Sequence, residues 1–159
     1  MDALILFSHG SLLCGSGQAL VKHADELRFT GNWSLVEIGY LNYSEPAFQD
    51  TVDLCARAGA THCVVAPYFL IPGYFVSKSL PDAIQTAQLR HPRMQFTVAE
   101  AIGFDEELAD TILDCAAHPL ASEHWRDDLF AATSYCRANP ECPLFGTYQC
   151  PQTHQSSAD

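Results

Sequence analysis

His9 is the residue from which chemistry in this chain can start. It follows Leu4-Ile5-Leu6-Phe7, a short continuous apolar run closed by Ser8, Gly10 and Ser11. Such a run reads as a strand buried on both faces. An imidazole at the carboxyl end of a strand lies where open α/β sheets bind ligands, and it can coordinate a metal or take a proton. The alternative is a strand-end His that caps a loop. Other polar residues fall at expected strand ends: Ser11, Asn42, Glu45 and Glu100. One imidazole among carboxylate and amide oxygens suits a divalent ion of the cobalt, nickel or iron type, with His9 and Glu45 as the candidate metal ligands. After the third apolar run come Tyr68, Phe69, Tyr74 and Phe75. These supply an aromatic wall suited to a flat, conjugated, apolar-faced ligand, or else they pack against the sheet edge.

The thiols are a second chemical resource. Seven cysteines is a generous number for a chain expected in a reducing compartment. Cys14 precedes a predicted helix, where a thiol pKa is lowered and nucleophilic catalysis is possible; a tolerated loop cysteine is the other reading. Cys55 and Cys63 fall in predicted core elements and read as small buried hydrophobes. Cys115, Cys136, Cys142 and Cys150 lie towards the end, the last three as C-x5-C-x7-C. Four soft thiolates are the right number for a structural zinc or an iron–sulfur cluster. The absence of any C-x2-C pair leaves ordinary free thiols as the alternative. No phosphate-binding loop and no nucleophile elbow occur, and Gly15-Ser16-Gly17 lacks the full dinucleotide fingerprint.

Composition narrows the class. The chain has 159 residues, 48% hydrophobic and 17% charged, as a globular protein with a real core has. A net charge of -11 argues against nucleic acid and against anionic membrane surfaces, both of which need clustered Lys and Arg. No apolar run approaches about 18 residues, so no membrane span is expected. The amino terminus enters a strand without a basic region before it, so no signal peptide is expected and the location reads as cytoplasmic.

The elements that position these groups alternate. Strands are expected at Leu4–Phe7, Leu35–Leu41, His62–Leu70 and Met94–Glu100, and helices at Gln18–Phe29, from Ser44-Glu45-Pro46 to Gly59, at Ser79–Leu89 and at Asp105–Ala116. Ser44 serves as the cap of the second helix, with Pro46 in its first turn, and Gly59 as its stop. Strict β-α alternation implies an α/β fold, a four-stranded parallel sheet with helices on both faces. Four strands make a small sheet, and dimerisation is one way to cover more apolar surface. The α/β domain is expected over 1–117. A C-terminal appendage, helical and then Cys-rich, is expected over 118–159, with Trp125, Phe130 and Tyr135 in its helical part.

His9-Gly10-Ser11 after the buried strand, Leu35-Val36-Glu37-Ile38-Gly39 followed by Tyr43-Ser44-Glu45-Pro46, and Gly59-Ala60 before Val64-Val65-Ala66-Pro67-Tyr68-Phe69-Leu70 resemble the small sirohydrochlorin chelatases. These class II tetrapyrrole chelatases insert cobalt, nickel or iron. The likeness continues through Gly73, Leu80-Pro81 and Glu100-Ala101-Ile102-Gly103. The resemblance implies flavodoxin-like halves paired as a homodimer, a tetrapyrrole substrate held in the cleft, and a His9 that binds the incoming metal and helps remove pyrrole protons. It implies substrate contacts from Ser11, Asn42, Glu45, Tyr68, Gly73, Tyr74 and Phe75. The chain departs from the family pattern at three places. Phe75 stands where a second metal-binding His is usual, Ser79 replaces an acidic residue, and Asn42 replaces a Glu. The pattern therefore also fits a homologue that binds tetrapyrrole or metal without inserting one. Some plant-type members carry a cluster on a Cys-rich tail, which Glu141-Cys142-Pro143-Leu144 resembles.

Overall fold

Five apolar residues in succession, Ala3 to Phe7, are buried and form the body of β1 (Asp2–Ser8). Burial on both faces requires a partner strand on each side and a helix layer above and below. In the computed structural model, which describes residues 1–11 and 17–119, β1 has both. It pairs in parallel with β2 (Leu35–Tyr40) and with β3 (His62–Pro67), and β3 pairs in parallel with β4 (Gln95–Val98). The sheet order is β2-β1-β3-β4. This is the flavodoxin-like arrangement, and its direction of growth reverses between β1 and β3.

Alternate residues of β1 serve opposite layers. Ala3, Ile5 and Phe7 join Phe48, Val52 and Cys55 of α2 (Phe48–Arg57) and Leu80 and Ala87 of α3 (Leu80–Arg90) in one core cluster. Leu4 and Leu6 join Leu20 and Ala24 of α1 (Gln18–Phe29) and Val36 and Tyr40 of β2 in the other. Helices thus cover both faces, as alternation required. Phe7 and Ile5 are fully buried, each contributing about 1.5–3 kcal/mol relative to exposure. Burial also pushes the Tyr40 phenol above its ordinary pKa.

The element ends differ from expectation where backbone rather than periodicity decides them. Ser44 does not cap α2 and Pro46 is not in its first turn. Ala47 is the extended residue before Phe48, the Glu45–Pro46 bond is cis, and the Pro46 carbonyl accepts from Tyr40 N at 3.0 Å. The stop at Gly59 stands. With φ +90° it lets Gly59 N reach Ala56 O at 3.0 Å and Ala60 N reach Cys55 O at 2.9 Å, a Schellman closure. β3 ends at Pro67, short of the expected Leu70, and a π-helical turn over Phe75–Ser79 precedes α3. Backbone contacts divide the chain into two units, Met1–Gly10 with Gln18–Phe104, and Ser11–Gly17 with Asp105–Asp159. The second contains α4 (Glu106–Ala117), capped by Asp105, whose carboxylate accepts from Glu107 N at 2.8 Å.

Candidate functional site

The reversal between β1 and β3 opens a crevice at the carboxyl ends of those strands, and His9 is the first residue beyond β1. Pairing to the β2 side continues past the strand ends. Leu41 N donates to Ser8 O at 2.9 Å and Asn42 N to His9 O at 3.0 Å. His9 is half-buried, and its Nδ1 lies 2.8 Å from Gly10 O. A carbonyl only accepts, so Nδ1 carries the proton and the ring's lone pair sits on Nε2, the form that binds a metal or takes a proton. Gly10 is required beside it: φ is +86°, and a Cβ there would stand 1.8 Å from Asn42 O.

Aromatic rings enclose the imidazole. The Phe75 ring centroid is 4.2 Å from that of His9, and Tyr43 meets it edge-on at 5.5 Å. Phe69 stacks behind Phe75 at 6.2 Å, and Tyr74 stands perpendicular to Phe75 at 6.1 Å with 71% of its surface exposed. Phe75 opens the π-helical turn, whose backbone is anchored at Gly73: its carbonyl accepts from Val76 N at 3.1 Å and Ser77 N at 3.0 Å. Tyr43 adopts φ +62° in a turn where Ser44 N donates to Asn42 O at 2.7 Å.

Not every residue proposed from sequence joins this group. Tyr68 turns to the other face, packs with the α1-side cluster and pairs with His23 at 5.6 Å. The two-residue period of β3 carries Phe69, not Tyr68, to the His9 side, and that period could have been read from Val65 and Pro67. Tyr43, which sequence reasoning did not assign to the site, touches His9 because of its left-handed backbone. Asn42 meets His9 through its backbone. The Glu45 carboxylate accepts from Ala47 N at 3.2 Å, before the first turn of α2. Ser11 belongs to the second unit, and Glu100 is exposed beyond β4. Among the described residues no three His, Cys, Asp or Glu side chains gather into a metal site. Cys55 and Cys63 are buried and free as expected, and Cys115 is an exposed free thiol of α4. Cys14, Cys136, Cys142 and Cys150 lie outside the described residues.

The chain is similar to known chelatases in sequence and in fold. The sirohydrochlorin cobaltochelatase of Methanocaldococcus jannaschii is 27% identical over 140 residues, covering 73% of this chain and 98% of that protein. The chloroplastic sirohydrochlorin ferrochelatase of Arabidopsis thaliana is 25% identical over 146 residues, covering 92% of this chain but 64% of that one. The fold matches the sirohydrochlorin chelatase SirB of Bacillus subtilis subspecies spizizenii, solved with cobalt, with TM-score 0.69 at 21% identity over 82% of this chain and 59% of that one. It also matches a CbiX protein of Marinobacter aquaeolei with TM-score 0.57 at 24% identity, over 74% of this chain and 96% of that one. The family model CbiX matches residues 3–118, a span that runs from within β1 to just past α4. By its sequence over that span, and by the fold that carries His9, the chain belongs to the CbiX family of sirohydrochlorin chelatases.

Proposed function

We propose that this chain inserts a divalent metal, cobalt or iron and in the same class nickel, into sirohydrochlorin or a related tetrapyrrole, a lyase-type reaction. The observation that carries the reading is His9. Its Nδ1–H is held by Gly10 O, its lone pair is left on Nε2, and Phe75 and Tyr43 flank it with apolar ring surface. A macrocycle lying on those rings presents its pyrrole nitrogens to that lone pair. Insertion exchanges two N–H protons for one divalent ion. His9 serves by delivering the metal and by accepting one of the two protons once the metal has passed to the macrocycle, the other leaving to solvent. One imidazole holds a divalent ion weakly, which suits a metal that must be released; water, the macrocycle nitrogens and Glu45 complete the shell. Asn42, Gly73 and Tyr74 border the macrocycle in this reading; Tyr68, on the opposite face of the sheet against His23, does not. A homodimer in the cytoplasm closes the cleft. No described helix is long and apolar enough to cross a membrane.

One observation favours a second reading, a binder without insertion activity. Phe75 faces His9 at 4.2 Å, in the position the family resemblance gives to a second imidazole. Anaerobic incubation of the metal-free chain with sirohydrochlorin and cobalt(II), nickel(II) or iron(II), followed by macrocycle absorbance, separates the two. Insertion above the uncatalysed rate that is lost in His9→Ala supports the enzyme. Binding without acceleration supports the binder, and wild-type rates in His9→Ala refute the assignment of the site. The zinc or iron–sulfur site of Cys115, Cys136, Cys142 and Cys150 is a separate part of the proposal. Elemental analysis of anaerobically purified protein tests it, and a chain free of both metals refutes it.

A further inference from the structure

The Phe75 ring reaches His9 from a helical turn that is one residue wider than α. Leu80 N donates to Phe75 O, five residues back, and the chain passes through this π-helical turn over Phe75–Ser79 directly into α3. Ser79 and Leu80 keep helical backbone angles, φ and ψ of −68° and −37° and of −66° and −46°. The next residue is Pro81, in the first turn of α3. Proline has no N–H, and in an α-helix its ring meets the carbonyl four residues back. That carbonyl belongs to Ser77, the middle residue of the π-helical turn. The α-type bond from residue 81 to Ser77 O therefore cannot form, and a wider turn relieves the contact. Such single π-helical turns inside α-helices are frequent at functional sites. The far side of the turn is fixed in the core, because Leu80 and Ala87 have no exposed surface. The near side is free to follow, because Leu70, Ile71 and Tyr74 are exposed.

We propose that Pro81 is a positioning residue for the His9 site: by withholding the N–H that Ser77 O would accept, it keeps the turn π-helical and so aims position 75, rather than position 76, at the imidazole. The role rests on the function proposed for His9, because position 75 decides whether a ligand or an apolar ring stands beside the metal. The register follows from helix geometry. One extra residue in a turn displaces everything N-terminal to it by one place, about 100° around the axis and about 1.5 Å along it. Leu80 and Ala87 hold α3 in the core, so an all-α continuation would put Val76 where Phe75 now stands. Phe75 would turn away by about 100°, off both His9 at 4.2 Å and Phe69 at 6.2 Å. The bonds from Val76 N and Ser77 N to Gly73 O, 3.1 and 3.0 Å long, lie on the exposed side that follows the shift. Pro81 acts through the backbone and not by contact with metal or macrocycle.

The test is cobalt(II) titration of the full chain without macrocycle, so it stands or fails apart from insertion. With Pro81 in place, Phe75→His is expected to tighten binding about tenfold and Val76→His to leave it within about twofold. With Pro81→Ala added the two positions exchange: Val76→His tightens binding and Phe75→His does not. A general loss of stability would not produce that exchange. The proton resonances of the His9 ring give a second readout that needs no metal, because the Phe75 ring shifts them. Phe75→Ala and Pro81→Ala are expected to move them alike, and Asp53→Ala, which acts at the other end of α3, to leave them in place. If Pro81→Ala does not fold by circular dichroism, Pro81→Ser restores the same N–H and decides. Tightening that stays with position 75 or is lost from both positions overturns the proposal, as do His9 resonances that Pro81→Ala leaves unmoved. If no variant binds cobalt(II), the function proposed for His9 fails and the resonances alone decide the role of Pro81.

Discussion

Gly10→Ala tests how the backbone holds His9, and two other glycines calibrate it. Gly10, Gly31 and Gly59 have φ of +86°, +69° and +90°. Placing a Cβ at any of them costs about 1–2 kcal/mol of left-handed strain. At Gly31 and Gly59 nothing lies within 4 Å of the added atom, so strain is the whole cost. At Gly10 the Cβ would stand 1.8 Å from Asn42 O, and relief to an allowed contact needs a displacement of more than about 1 Å. That movement breaks the bonds from Asn42 N to His9 O and from Ser44 N to Asn42 O, 3.0 and 2.7 Å long, at about 1 kcal/mol each. The expected loss is therefore about 3–4 kcal/mol for Gly10→Ala against about 1–2 for Gly31→Ala and Gly59→Ala. Urea unfolding of the three variants at constant m-value measures the difference. Metal insertion should fall in Gly10→Ala and persist in the other two, because only the first displaces His9. Equal destabilisation in all three would refute the account of Gly10 as the contact that fixes the His9 turn.

Phe75→His should tighten divalent metal binding by about tenfold, about 1.4 kcal/mol, because the ring at position 75 lies 4.2 Å from His9; an unchanged titration would show that this position does not face the metal. Tyr40→Phe should flatten the alkaline limb of stability. Burial raises the native phenol's pKa, so the unfolded chain loses its proton first, above about pH 10. Stability is then full below that pH and falls as pH rises. Removing the hydroxyl should make the slope shallower by at most about 1.4 kcal/mol per pH unit, and urea midpoints between pH 9 and 11 that show identical slopes would contradict it. Asp53 accepts from Arg90 and from His91 Nε2 at 2.6 Å, joining α2 to the end of α3. Asp53→Ala should cost about 1–2 kcal/mol in thermal unfolding without changing insertion, and a loss of activity at full stability would show a role this geometry does not contain.

Much of the molecule follows from local pattern. The apolar run from Ala3 to Phe7 is buried wherever its neighbours lie, so β1 and the position of His9 at its end were legible in the residues. The order β-α-β-α-β-α-β-α was legible too, because each element carries its own period, and so was the stop at Gly59, because an αL turn selects glycine. The residue Tyr43-Ser44-Glu45-Pro46 shows the opposite. Its types suggested a capped helix, whereas the backbone folds it back as a turn that presses Tyr43 on His9 and leaves α2 to begin at Phe48. Which aromatic faces His9 depends on where β3 ends and on the π-helical turn after it. That is why Phe75 arrives at the imidazole with Phe69 stacked behind it, while Tyr68 turns to α1. Cys63 and Met94 are 31 residues apart, and no spacing rule relates them. The pairing of β3 with β4 brings their sulfurs to 3.4 Å, and that is a property of long-range contact, which a sequence encodes only through the whole fold.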